Sequence, residues 1–183
     1  MLNGFMLSKE HLVLSPGRLV QITLRNHNNL TTQKESQMKD ADLIVWTDEL
    51  AVGVEAIDVQ HRVLVNLIND ASVKLSADSS ARNLILVLRD LLAYSLFHFD
   101  TEEKLMQEYK YAETNPEDNA AHLREHREFS AKVISVRDGI ENGILISRED
   151  LLDYLNSWLI NHIQSTDKRM GSFVQSKKSL AKK

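Results

Sequence analysis

Five histidines and two carboxylates fall at spacings that would let them bind metal ions together. The set consists of His61, His98, Glu102, His122, His126, His162 and Asp167. His98 and Glu102 are four residues apart, as are His122 and His126, so each pair projects from one face of a helix. Buried imidazoles need partners for a donor and an acceptor each, and bound metal removes that cost. The chain has no cysteine, so the predicted metal site uses only His, Asp and Glu.

The size of this donor set predicts how many ions it holds. Five imidazoles and two carboxylates are too many for one tetrahedral zinc ion and suit two octahedral first-row ions bridged by carboxylates. With a shared oxo or hydroxo group, one coordination position stays vacant, and a small ligand can bind there. A metal that only holds the fold together is the alternative.

Four stripes of apolar residues, spaced by three and four, predict four helices that carry these side chains. The stripes run from Ile57 to Leu75, from Leu84 to Tyr109, from His122 to Ile140 and from Leu151 to Thr166. Breaks lie near 77–80, at Asn115-Pro116 and at Asn142-Gly143. Short connections favour antiparallel neighbours, so we predict an all-α, up-down-up-down antiparallel four-helix bundle. Residues equidistant from a turn lie at one height, which brings the five histidines and Glu102 to one level.

Asp167 does not fit a regular helix. It follows His162 by five residues, which is about 140° around a helix of 3.6 residues per turn. Either the fourth helix contains a π-type turn there, or the carboxylate reaches the site from the flank.

Composition limits the fold and the partners. We predict a disordered extension over residues 1–40, with Met38 as an alternative start of translation, a bundle over 41–174 and a basic tail over 175–183. Residues 38–174 carry 24 acidic and 14 basic side chains, which disfavours binding to nucleic acid or to an anionic membrane surface. No apolar run approaches the roughly 20 residues of a membrane span. We therefore expect a cytoplasmic protein.

Several short motifs resemble the hemerythrins, and most closely their bacterial branch. The resemblance covers about residues 43–170 and rests on Trp46, Asp58-Val59-Gln60-His61, His98-Phe99-Asp100-Thr101-Glu102-Glu103, Lys104-Leu105-Met106, His122-Leu123-Arg124-Glu125-His126, Trp158-Leu159-Ile160-Asn161-His162-Ile163 and Asp167. It implies two iron ions per chain, bridged by an oxo or hydroxo group, that bind dioxygen reversibly. It also implies His122, His126 and His162 on one iron, His61 and His98 on the other, and Glu102 and Asp167 between them.

The same resemblance implies an apolar oxygen pocket. The family lines this pocket from the positions of Leu64 and Trp158. Phe99 and Ile163 directly follow predicted ligands and are candidates for the same lining, with simple packing of the bundle as the alternative. By contrast, Glu103 and Glu125 are predicted to be solvated residues on helix surfaces.

A binding protein is expected rather than an enzyme. Neutral imidazoles dominate the donor set, whereas di-iron oxygenases use more carboxylates to stabilise strongly oxidised iron. The expected role is an oxygen carrier, store or delivery protein, in preference to an oxygen sensor. One alternative is a di-iron oxidase, a peroxidase or a nitric-oxide-handling enzyme. A less favoured one is a structural or partner-binding bundle whose metal only stabilises the fold.

Overall fold

Four long antiparallel helices form the body of the protein, as the apolar stripes predict. In the computed structural model, the described residues are 43–75 and 79–181. The helices are α1 (Glu55–Lys74), α2 (Ala81–Glu108), α3 (Pro116–Glu141), α4 (Arg148–His162) and α5 (Lys168–Ala181), with a π-helical segment (Ile163–Asp167) between α4 and α5. A 3-10 helix (Asp48–Leu50) precedes α1, and a one-turn helix (Tyr111–Thr114) precedes α3. The predicted extension over 1–40, with its alternative start at Met38, lies outside the described residues.

The helix boundaries follow local chemistry at the predicted breaks. Ser80 and Ser147 precede α2 and α4, and their hydroxyl groups accept hydrogen bonds from the backbone N–H groups of Asn83 and Asp150, at 3.3 and 3.0 Å. Such caps satisfy donors that a helix leaves unpaired at its start. Pro116 opens α3, where its missing N–H costs nothing. All three connections are short enough to join antiparallel neighbours.

An arm of chain before α1 runs back along that helix. The backbone N–H of Ile44 donates to the side chain of Asn69 at 2.8 Å, and the Asn69 amide donates to the Ile44 carbonyl at 2.9 Å. Asp58, in the first turn of α1, accepts from the backbone N–H groups of Val52 and Gly53. These bonds close the start of α1 and fix the arm against the bundle.

The C-terminal helix packs beside this arm. Gly171 is buried, and a Cβ there would lie 2.6 Å from the Val52 carbonyl oxygen, so only glycine allows this approach. The side-chain amide of Gln175 donates to the same carbonyl at 2.8 Å. Helix α5 continues to Ala181, so residues 175–181 of the predicted basic tail are helical. The division at residue 174 stays a prediction. None of the helices among residues 43–75 and 79–181 is long and apolar enough to cross a membrane.

Candidate metal centre

All seven predicted ligands meet in the middle of the bundle. Every one of them is at most 3% exposed. Helix α1 contributes His61, α2 contributes His98 and Glu102, α3 contributes His122 and His126, α4 contributes His162, and the π-helical segment contributes Asp167. The side chains therefore converge at one level, as the spacing about the turns predicts.

The donors divide into two overlapping groups. We call Glu102, His122, His126, His162 and Asp167 the three-histidine group, and His61, His98, Glu102 and Asp167 the two-histidine group. Within each group the potential ligand atoms lie within 4.8 Å of one another. Both groups contain Glu102 and Asp167, so each carboxylate is placed between the two sets of imidazoles.

The Nε2 atoms face the two carboxylates at short range. His122 and His126 each place Nε2 3.2 Å from Glu102 Oε2. His61 Nε2 lies 3.1 Å from Asp167 Oδ2, and His162 Nε2 lies 3.0 Å from Asp167 Oδ1. This arrangement turns one nitrogen of each ring, and the carboxylate oxygens, towards a common centre.

The arrangement fits metal ions better than it fits a network of hydrogen bonds. Glu102 Oε1, both Asp167 oxygens and His61 Nε2 are buried and form no well-aligned hydrogen bond within the described part of the chain. His126 Nε2 lies 3.2 Å from His162 Nε2, although both atoms also face carboxylates. Buried polar atoms without partners are costly, and a cation would satisfy their lone pairs. Imidazole and carboxylate together suit first-row transition metals.

In the metal-free protein, burial and the charges of neighbouring groups shift the pKa values of the cluster residues. Burial by itself raises the pKa values of Glu102 and Asp167, but the facing histidines outweigh it and hold both pKa values well below their usual range. Burial likewise lowers the pKa values of His162 and His122, but the carboxylates outweigh it and raise them to about 10 and about 9. At His98 burial dominates, and the pKa falls to about 4.

The second nitrogen of three imidazoles has a partner outside the cluster. His98 Nδ1 donates to Gln60 Oε1 at 3.0 Å, and His126 Nδ1 donates to Glu103 Oε1 at 3.1 Å. His162 Nδ1 donates to Glu125 Oε2 at 2.7 Å. The prediction that Glu103 and Glu125 are only solvated surface residues is therefore wrong. Each side chain is a little over one third exposed but also holds a buried ring in place.

The π-helical segment accounts for the position of Asp167. Five residues from Ile163 to Asp167 form one wide turn directly after His162. That turn brings the Asp167 carboxylate to the same side as His162, and the carboxylate is fully buried. Of the two alternatives that the spacing allows, the structure has the π-type turn, a feature frequent at functional sites.

Aromatic rings cover part of the cluster. Phe99 stacks on the His126 ring with centroids 3.8 Å apart, and Trp158 stacks on the His162 ring at 4.5 Å. Leu64 and Ile163 are buried, one turn after His61 and directly after His162. All four predicted lining residues thus lie on the helices beside the ligands, with both aromatic rings against the three-histidine group. Their role as an oxygen pocket stays a prediction.

Known proteins resemble the chain over this whole region. A family model described as Hemerythrin HHE cation binding domain matches residues 52–174. The bacteriohemerythrin of Stenotrophomonas maltophilia is 33% identical over 135 residues, which cover 73% of this chain and 82% of the relative. The bacteriohemerythrin of Methylococcus capsulatus is 28% identical over 130 residues, covering 70% and 95%. A crystal structure of wild-type hemerythrin matches with a TM-score of 0.64 and 28% identity, covering 72% of this chain and 98% of that chain. The matched region contains all seven cluster residues.

Proposed function

The chain belongs to the hemerythrin family, and from that premise we propose that it binds dioxygen reversibly at a non-haem di-iron centre. The observation that carries the proposal is the pair of overlapping donor groups, both of which contain Glu102 and Asp167. In the proposed centre, the three-histidine group holds one iron and the two-histidine group holds the other. Glu102 and Asp167, which belong to both groups, would serve as ligands shared by the two ions. Bound ferrous iron supplies the electrons that reversible binding of dioxygen requires.

The protein's own residues prepare the site for this task. The Nδ1–H groups of His98, His126 and His162 are held by hydrogen bonds, so each Nε2 stays directed at the centre. Leu64, Phe99, Trp158 and Ile163 would exclude water from the bound ligand and so slow irreversible oxidation. We propose these four residues as the lining of the oxygen pocket.

The surroundings of the cluster favour binding over catalysis. An enzyme that oxidises a substrate needs an acid or base placed to move a proton. Two carboxylates outside the cluster, Glu103 and Glu125, contact its histidines, and both are engaged as acceptors of hydrogen bonds from those rings. We therefore propose a carrier, store or delivery protein rather than an oxidase or peroxidase.

The deciding experiment follows iron and colour through one cycle of oxygenation. Protein reduced under argon should contain about two irons per chain, gain a visible absorption band in air and lose it when oxygen is removed. The variant Glu128→Gln, which alters an exposed carboxylate on α3, serves as the control and should behave like the parent.

The other outcomes point away from reversible binding. Bleaching that cannot be reversed, with continued consumption of oxygen and a reductant, would show an enzyme. Two tightly bound irons that ignore oxygen would show a metal that only stabilises the fold.

A further inference from the structure

The partners of the outward-facing Nδ1 atoms differ in charge between the two groups of donors. In the three-histidine group, His126 and His162 donate to the carboxylates of Glu103 and Glu125. In the two-histidine group, His98 donates to the neutral amide of Gln60. His61 Nδ1 and His122 Nδ1 have no such partner within the described residues.

The neutral partner is fixed by its own hydrogen bonds. Thr101 donates its hydroxyl proton to the Phe97 carbonyl at 3.0 Å, so its oxygen is free to accept. Gln60 Nε2 donates to that oxygen at 3.1 Å, and this turns Gln60 Oε1 towards His98. The amide oxygen, and not the amide nitrogen, therefore faces the ring.

Glu125, the anionic partner on α3, is held by two hydrogen bonds of its own, as Gln60 is. Glu125 Oε2 accepts from His162 Nδ1 at 2.7 Å and from the Thr166 hydroxyl at 2.9 Å. Thr166 lies in the π-helical segment beside Asp167, so one carboxylate holds both a ligand ring and the turn that presents the neighbouring ligand. Its charge is thereby kept directly behind the His162 imidazole.

We propose that Glu103 and Glu125 are positioning residues that make the two metal positions unequal, so that the three-histidine position binds a divalent ion first and more tightly. A carboxylate behind an imidazole attracts the Nδ1 proton and increases electron density at Nε2, which strengthens the bond to a cation. An amide does this more weakly because it carries no charge. This effect of the carboxylates adds to the tighter binding that three imidazoles give in one group compared with two imidazoles in the other. This inference rests on the two-ion site of the proposed function.

The test measures two stepwise dissociation constants for Co2+, using metal-free protein under argon and a competing chelator. Glu103→Gln and Glu125→Gln keep an acceptor but remove the charge. Each should weaken the tighter constant by about 10-fold, a typical effect of a changed partner behind a ligand histidine, and leave the weaker constant unchanged. His126→Ala, which removes a donor from the three-histidine group alone, should weaken the same constant.

A reciprocal variant and a control make the test specific. Gln60→Glu places a charge behind His98 and should strengthen only the weaker constant, so that the two constants approach each other. Glu128→Gln removes a charge from the surface of α3, where Glu128 is 69% exposed and lies 4.0 Å from Arg124 Nε. It should change neither constant. Gln60→Glu and Glu103→Gln test the proposal independently if Glu125→Gln fails to fold.

The outcomes separate this inference from the proposed function. Fewer than two Co2+ ions bound to the parent chain would overturn both. Two bound ions, with the glutamine variants weakening both constants equally or neither, would overturn the inference and leave the di-iron proposal standing.

Discussion

Each ligand histidine has two ring nitrogens, and the structure gives them separate tasks. The Nε2 atoms face Glu102 and Asp167, and three of the five Nδ1 atoms donate to side chains outside the cluster. An acceptor that binds the N–H on one side of a ring fixes the tautomer and the orientation that the other side presents. The chemistry of the cluster therefore depends on residues that do not belong to it.

Metal affinity should rise with pH well beyond neutrality. In the metal-free protein the facing carboxylates raise the pKa values of His122 to about 9 and of His162 to about 10, against the effect of burial. We therefore expect both rings to carry an extra proton at pH 7, which a metal ion has to displace. We expect the apparent affinity for Co2+ to increase until the pH passes these values, and loading at pH 7 to acidify a weakly buffered solution. An affinity that is constant between pH 6 and pH 9 would contradict this.

The sequence predicts the ligands but not their partners, for a physical reason. A candidate ligand can be recognised in the sequence because a histidine on the apolar stripe of a helix is predicted to be buried. Glu103 and Glu125 lie beside ligands in the chain, yet each serves a histidine on another helix. Their partners depend on how helices are rotated against each other, and no single stripe contains that information.

At the scale of helices, one irregular turn serves the site. The interval of five residues between His162 and Asp167 shows that a regular helix would not direct both side chains to the same site. Either a π-type turn or a carboxylate that reaches in from the flank would solve this. In the π-type turn the Thr166 hydroxyl donates to Glu125 on α3, and Arg169 Nη2 donates to Thr166. The bond to Glu125 stabilises this turn, and it joins two helices that the spacing within one helix does not relate.

A close contact at the start of α5 gives a test of its packing. A Cβ at Gly171 would lie 2.6 Å from the Val52 carbonyl oxygen and 2.9 Å from its Cβ. Gly171→Ala should lower the free energy of unfolding by about 1–3 kcal/mol, because the arm and the helix would have to separate. Urea denaturation of the metal-free protein measures this.

Gly139 provides the matched control for that substitution. It lies in α3, and a Cβ there would be 3.4 Å from Ile144 Cδ1 at the nearest. Gly139→Ala should stabilise the protein by about 0.5 kcal/mol, because alanine loses less freedom in a helix. Equal effects of the two substitutions would show that helix propensity matters more here than the contact with Val52.

For the whole molecule, the turns carried most of the predictive information. A pattern of three short connections fixes antiparallel neighbours, and equal distances from each turn then align His61, His98, His126 and His162 in one layer. The sequence contains no comparable pattern that predicts the path of the arm before α1. Its path depends on Asn69 and Asp58 binding backbone groups of residues 44, 52 and 53, and such bonds follow no periodic pattern.

Because the cluster draws on four helices and the π-helical segment, metal should stabilise the whole fold. The charged and polar groups of the cluster lie in the interior of the bundle, where a protein usually has an apolar core. Without metal, several of these buried atoms have no hydrogen-bond partner among the described residues. At a free Co2+ concentration about 100 times the dissociation constant, linkage contributes about 2.7 kcal/mol. For a chain of this size each kcal/mol raises Tm by about 2–4 °C, so calorimetry should show an increase of about 5–10 °C. Mg2+, which prefers oxygen ligands, should leave Tm unchanged at the same concentration. An equal increase with both ions would show that general charge neutralisation, rather than histidine coordination, holds the four helices together.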